Sequence, residues 1–221
     1  CFAPTAPLRA LGGVPLWATT RRICEAAMRF WHGDKPGKSV PFERYVFLLR
    51  TVDEGYGGLE HLNSTALIAG RKHLPRPGET PGDDYTTLLG LISHEYFHAW
   101  NVKRLRPAEL VPYNYSRENY TDLLWFFEGF TSYYDDLLLL RAGCIDAAGY
   151  LRLLNKAVDS VQASPGRFIH SLAQSSFEAW TKYYRQDANT PNITVSYYTK
   201  GALLGLCLDL TLRQEGRTTL D

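Results

Sequence analysis

The chain has 221 residues, with 24 basic and 23 acidic side chains and a formal net charge of +1. That length suits one large domain or two small ones with a real core, and the balanced charge points to neither nucleic acid nor an anionic membrane as a partner. No apolar run approaches the ~20 residues that span a bilayer; the longest, Ala202 to Leu212, is interrupted by Asp209. No charged region followed by an apolar one opens the chain, so no signal peptide is expected. The first residue is Cys1 rather than Met, so a fragment or a processed form is expected. The cytoplasm is the default compartment, with the periplasm left open. Cys1, Cys24, Cys144 and Cys207 are widely spaced without a CxxC, a pattern that suits buried thiols rather than a disulfide framework.

In chain order, Arg21 to Trp31 reads as a helix ended by Gly33 and Pro36. Arg44 to Thr51, rich in β-branched and aromatic residues, reads as a buried strand. Asp53 to Gly58 is a glycine-rich turn, Asn63 to Ala69 a second strand beside the first, and Gly70 to Gly82 a Pro/Gly loop. Asp83 or Asp84 caps a helix that runs to about Asn101, where Lys103, Arg104 and Arg106 suit a helix C-terminus and Pro107 stops it. Further helices are expected from Ser116 to Leu140, Ala147 to Ala163, Ser171 to Tyr184 and Ser196 to Arg213. The class is α+β and helix-rich. No repeat, low-complexity tract or clear linker divides the chain. His32, His73 and His170 fall in loops or at element ends and are expected to face solvent.

Within the helix that starts near Asp83, His94-Glu95-Tyr96-Phe97-His98 is an HExxH sequence. Histidines four apart lie one above the other on a helix face, so both imidazoles can reach one zinc ion, and Glu95 can take a proton from an attacking water. A chance match arises in roughly one chain in a hundred of this length, the risk carried by any short motif. A catalytic zinc site needs a third protein ligand. The HExxHxxGxxH pattern is excluded, because Asn101 stands where the glycine belongs and Arg104 where the third histidine belongs. Glu128, within Leu124-Trp125-Phe126-Phe127-Glu128-Gly129-Phe130, is a lone carboxylate in a very apolar run. A buried carboxylate needs a partner, which a metal supplies; the periodicity equally allows Glu128 on a polar helix face. Thr131 and Asp135 follow one and two turns later and can orient a ligand.

HEYFHAWNVKRLRP, then FFEGFTSYY, then SYYTKGALLGLCLDL resemble the glycyl aminopeptidase family of gluzincin zinc metallopeptidases, over about Glu43 to Asp221. The chain is more distantly similar to aminopeptidase N, whose HExxHxW, EGFxxY and YxKGA segments stand here as His94 to Trp100, Glu128 to Tyr133 and Tyr198 to Ala202. The resemblance implies a thermolysin-like catalytic domain with a small β-sheet subdomain and a larger helical one. It implies one catalytic Zn2+ on His94, His98 and Glu128, with Glu95 as general base. It also implies that the Gly57-Gly58-Leu59-Glu60 segment grips the free α-amino group of the substrate through Glu60, with His61 as a further substrate contact. A carboxylate at a fixed distance from the metal is what an exopeptidase needs for that amine; without the resemblance the segment reads as an ordinary turn between two strands. Tyr198, picked out over Tyr197 by the YxKGA match, would donate to the oxyanion. Asn101, Lys103 and Arg104 match the family pattern without an evident mechanism beyond stabilising a helix end.

The expected function is a zinc aminopeptidase releasing small N-terminal residues, glycine or alanine, from peptides. The resemblance implies an N-terminal β-rich domain and a C-terminal PDZ domain that do not fit in this chain, and apolar surface that packs against them. A zinc endopeptidase with the same core and a non-catalytic peptide-binding module are the alternatives; the mark of the latter, loss of a ligand or of Glu95, is absent.

Overall fold

A computed structural model describes residues 2–4, 16–34, 40–75, 82–216 and 218–221. Cys1, Pro36 and residues 76–81 of the expected Pro/Gly loop lie outside the described residues. The chain forms two compact units, Cys1–Arg104 with Asp135–Tyr150 and Leu105–Tyr134 with Leu151–Asp221. The architecture is helix-rich α+β, and among the described residues no helix is long and apolar enough to cross a membrane.

The first unit holds strands β1 (Phe2–Pro4), β2 (Val46–Val52), β3 (Tyr56–Glu60) and β4 (Ser64–Gly70), and helices α1 (Leu16–His32) and α2 (Asp83–Phe97). The sheet order is β1-β2-β4-β3; β2 runs parallel to β1 and β4, and β3 lies antiparallel on the far edge. Alternation decides which face is covered: Phe47 and Leu49 of β2 and Thr65, Leu67 and Ala69 of β4 are buried, whereas Leu48, Arg50, Ala66 and Ile68 are exposed. α1 adds Ile23 and Ala27 to this core, and α2 adds Leu88 and Ile92. α1 ends where Gly33 turns to φ 67 and returns its N–H to the Arg29 carbonyl at 2.8 Å, the left-handed cap that glycine adopts at least cost.

Two expectations change here. The glycine-rich turn is shorter than its composition suggests, because Tyr56, Gly57 and Gly58 pair with Ala69, Ile68 and Leu67 as an edge strand. α2 is capped by Gly82 rather than by an aspartate; Asp83 and Asp84 sit in the first turn, where they complement the helix dipole.

The second unit is built from helices: the N-terminal part of α3 (Leu124–Arg141), α4 (Ala147–Ala163) from Leu151 onward, α5 (Leu172–Phe177), α6 (Thr190–Ile193) and α7 (Tyr197–Gln214). The expected helix from Ser116 starts only at Leu124, because Asn114 and Asn119 bond the intervening backbone and Thr121 Oγ1 accepts from Leu123 N, as short polar side chains do when they compete with helix. The expected helix to Tyr184 breaks after Phe177 into a π-turn over Ala179–Tyr183. The buried stripe of α7 is Tyr197, Gly201, Gly205 and Asp209, spaced by four. It meets a matching stripe of α3. A Cβ on Gly201 would lie 2.5 Å from the Trp125 carbonyl oxygen, and one on Gly129 would lie 2.6 Å from the Gly201 Cα. The two backbones therefore touch, an approach only glycine permits. One and two turns on, Gly205 faces Tyr133, and Tyr133 Oη donates to Asp209 Oδ2 at 2.7 Å. The charge that interrupts the apolar run is thus buried and satisfied, with Arg213 Nε and Leu220 N as further donors.

His73 and His170 are buried rather than solvent-facing. His73 Nδ1 accepts from Gly70 N at 3.1 Å, and His170 Nε2 lies 2.8 Å from Glu178 Oε2; these polar partners, invisible to periodicity, make burial affordable. His32 is half-buried against Trp100, whose Nε1 donates to it at 2.9 Å. Cys24 and Cys144 are half-buried free thiols, with Cys24 pushed up to about 12 by burial, and Cys207 is exposed.

Candidate active site

α2 delivers its chemistry at its C-terminal end. His94 lies in the last turn, Glu95 is buried beside it, and His98 is the C-cap. The two imidazoles meet edge to face with ring centroids 4.6 Å apart and Nε2 atoms 3.0 Å apart. Their other nitrogens are spoken for. His98 Nδ1 lies 2.7 Å from the Asn101 carbonyl, and His94 Nδ1 lies 2.9 Å from Asp135 Oδ2. A carbonyl can only accept, so His98 carries its proton on Nδ1 and turns the Nε2 lone pair toward His94. A carboxylate at Asp135 makes the same assignment for His94. Two lone pairs facing at that distance repel unless a proton or a metal cation lies between them. Tetrahedral zinc with Zn–N near 2.0–2.1 Å separates its nitrogens by ~3.3 Å, so the pair fits a metal to within a few tenths of an ångström.

Asp135 reaches this place from α3. Burial raises its carboxyl above the usual range, and the hydrogen bond from His94 pulls the other way. Asp136 N also donates to Asp135 Oδ1. Such a carboxylate behind a histidine fixes ring and tautomer. Thr131, the other candidate for that role, is buried and donates to the Phe127 carbonyl within its own helix at 2.6 Å.

Glu95 is enclosed by the strand edge. Its carboxylate approaches Thr65 Oγ1 at 3.4 Å, and its backbone carbonyl accepts from Tyr45 Oη at 3.2 Å. A Cβ on Gly58 would fall onto the Glu95 carboxylate, whereas one on Gly57 would meet open space. Glu60, at the end of β3, is paired with Lys103, Nζ to Oε1 at 3.0 Å. His61 is exposed, and its Nδ1 lies 3.0 Å from the Leu59 carbonyl. The first unit thus brings His94, His98, Glu95, Gly58 and Glu60 to one end of α2 and the adjoining edge of the sheet.

In the second unit, Glu128 is half-buried on α3. Its negative charge helps burial to raise the phenols of Tyr183, Tyr197 and Tyr198. Tyr198 is pushed far above the ordinary tyrosine range, by burial first and Glu128 second. Its ring stacks on Tyr197 with centroids 4.6 Å apart, and its hydroxyl lies 3.2 Å from Tyr184 Oη. Tyr197 is almost fully buried.

Sequence reasoning missed Thr65, Tyr184 and the Asn101 carbonyl. Thr65 stands opposite Glu60 in the β3–β4 register, which a strand alignment would have shown once Tyr56–Glu60 was read as a strand. A backbone carbonyl leaves no signal in residue type, and Tyr184 is brought to Tyr198 by a π-turn that no periodicity announces.

A family model described as M61 glycyl aminopeptidase matches residues 87–204. Among solved structures the chain is similar to an aminopeptidase N family protein from Idiomarina loihiensis, at 43% identity and a TM-score of 0.90, with 99% of this chain and 37% of that chain covered. The chain therefore spans little more than a third of that relative's length. A comparison with curated protein sequences finds no match.

Proposed function

Because the chain belongs to the M61 glycyl aminopeptidase family, whose model covers residues 87–204 of its 221, we propose that it is the catalytic part of a zinc aminopeptidase with a thermolysin-like, gluzincin core. His94, His98 and Glu128 make up the donor set for the ion, two neutral imidazoles and a carboxylate, which is a frequent set for catalytic zinc. α3 is one unbroken helix, and Glu128 precedes Asp135 by seven residues, two turns on one face. The face that carries the carboxylate behind His94 therefore also carries Glu128. The observation that carries the reading is the histidine pair, with Nε2 atoms 3.0 Å apart and both Nδ1 atoms held by acceptors.

When bound, the ion supplies Lewis acidity to the scissile carbonyl and to the attacking water. Glu95 takes the proton of that water and delivers it to the leaving amine; its burial against Thr65 and Gly58 keeps the carboxylate aimed. Glu60 accepts the protonated α-amine of the substrate, with Gly57, Gly58 and His61 beside it, so cleavage falls after the first residue. Tyr198 donates to the developing oxyanion. Glycine or alanine as the released residue follows from the family likeness.

Metal analysis combined with hydrolysis of glycyl p-nitroanilide by wild type and Glu95→Gln tests the reading. One zinc is expected in both proteins, with turnover in the wild type only. A folded sample without stoichiometric metal would sink it, and unimpaired cleavage of N-acetylated peptides would turn the assignment toward an endopeptidase.

A further inference from the structure

The turn that follows the HExxH helix, Asn101-Val102-Lys103-Arg104, has no part in the chemistry above, yet it is held at many points. Its first residue lends a carbonyl to His98 Nδ1 at 2.7 Å, and Lys103 N donates to the His98 carbonyl at 3.1 Å. One histidine is thus gripped at ring and backbone by the same four residues. Val102 is buried at φ 117, a region that a β-branched residue rarely enters and that persists only where the surroundings dictate it. Arg104, two residues on, is anchored at several points. Its guanidinium bonds the carbonyls of Leu62 at 3.0 Å, Pro41 at 3.2 Å and Ala99, and lies over the Phe42 ring at 5.7 Å.

Leu62 is two residues beyond Glu60. The turn therefore holds the end of β3 twice, through Arg104 on the Leu62 backbone and through Lys103 on the Glu60 side chain at 3.0 Å. The Lys103 and Glu60 side chains are only 18% and 19% exposed, so the pair is screened far less than an open surface pair, which would contribute little.

We propose that Lys103 is a positioning residue for recognition of the substrate's amino terminus: it fixes the Glu60 carboxylate at a set distance from His98, so that the enzyme measures off one residue. The proposal rests on the reading of Glu60 as the amine anchor. Lys103 engages Oε1, and Oε2 is then the oxygen presented to the amine. Without the ammonium, the glutamate side chain would rotate about its own torsions and hold the amine at no fixed distance.

The test is steady-state hydrolysis of glycyl p-nitroanilide by the zinc-loaded enzyme and by Lys103→Met, Lys103→Arg, Glu60→Gln and the Lys103→Met/Glu60→Gln double variant, with metal content measured for each. Lys103→Met should raise KM about ten- to a hundred-fold, the range for losing a group that orients a functional side chain. Its kcat should fall much less and its zinc content should not change. Lys103→Arg should recover most of the loss, and in the Glu60→Gln background the Lys103 substitution should add nothing further. A raised KM in Glu60→Gln with a wild-type KM in Lys103→Met overturns this proposal alone. A lowered KM in Lys103→Met also overturns it, since Lys103 would then be competing with the substrate amine. An unchanged KM in Glu60→Gln overturns the reading of Glu60 and this proposal together.

Discussion

In the first unit, His94, His98 and Glu95 are tethered atom by atom, by the Asp135 carboxylate, the Asn101 carbonyl, Thr65 and a glycine whose missing Cβ makes room. In the second, Tyr198 stands in a cluster of rings: it stacks on Tyr197, lies against Tyr183, and has its hydroxyl 3.2 Å from Tyr184 Oη. Groups that must share an ion need fixed direction at each atom. A phenol that must stay protonated and point one way needs burial and a flat neighbour. The first arrangement should therefore fail on small changes, and the second should tolerate the loss of any hydroxyl but the acting one.

The sharpest break in that contrast is at Tyr198. Tyr198→Phe should lower kcat by ~10²–10³, the cost of losing one oxyanion donor, while Tyr197→Phe, which keeps the stack, should stay near wild type. Equal losses in kcat for the two variants would show that the hydroxyls act as a set. Gly58→Ala comes next. Its methyl would fall onto the Glu95 carboxylate, and a displacement of about an ångström at a reacting group costs ~10²-fold. Turnover should drop with metal content and thermal stability retained; a fully active Gly58→Ala would mean that Glu95 is not held by the strand edge. Asp135→Asn should have the smallest effect, a ~10–100-fold weaker hold on metal, seen as easier stripping by a chelator. An unchanged stripping curve would remove Asp135 from the support of His94.

Legibility followed the kind of signal. Elements with strong periodicity were readable: Ala147–Ala163 agrees to the residue, and β2, β4 and α7 shift by one or two positions. β3 was not readable, because Gly57 and Gly58 carry a turn's composition while the pairing with β4 comes from the rest of the sheet. In the site, His94, Glu95 and His98 announce themselves by helical spacing. Asp135 showed only as an acid at the right interval from Glu128, where a solvated helix face is equally common. Lys103 read as a helix-end cation, because the carboxylate it meets lies 43 residues earlier, on another element. Val102 gave no warning at all: its positive φ stands between neighbours whose backbone and side chains are hydrogen-bonded, and residue type alone argues against it.

The contact of Gly129 with Gly201 on α3 and α7 joins two stretches that lie more than seventy positions apart in the chain. Each glycine has a residue of the proposed site nearby, Glu128 next to it on one helix and Tyr198 three positions before it on the other. A side chain at either glycine would wedge both helices, so neither stretch can drift on its own. For anyone recombining members of this family, the two segments make a single heritable cassette: a crossover between them is safe only when both parents bring the same bare backbone to the meeting point.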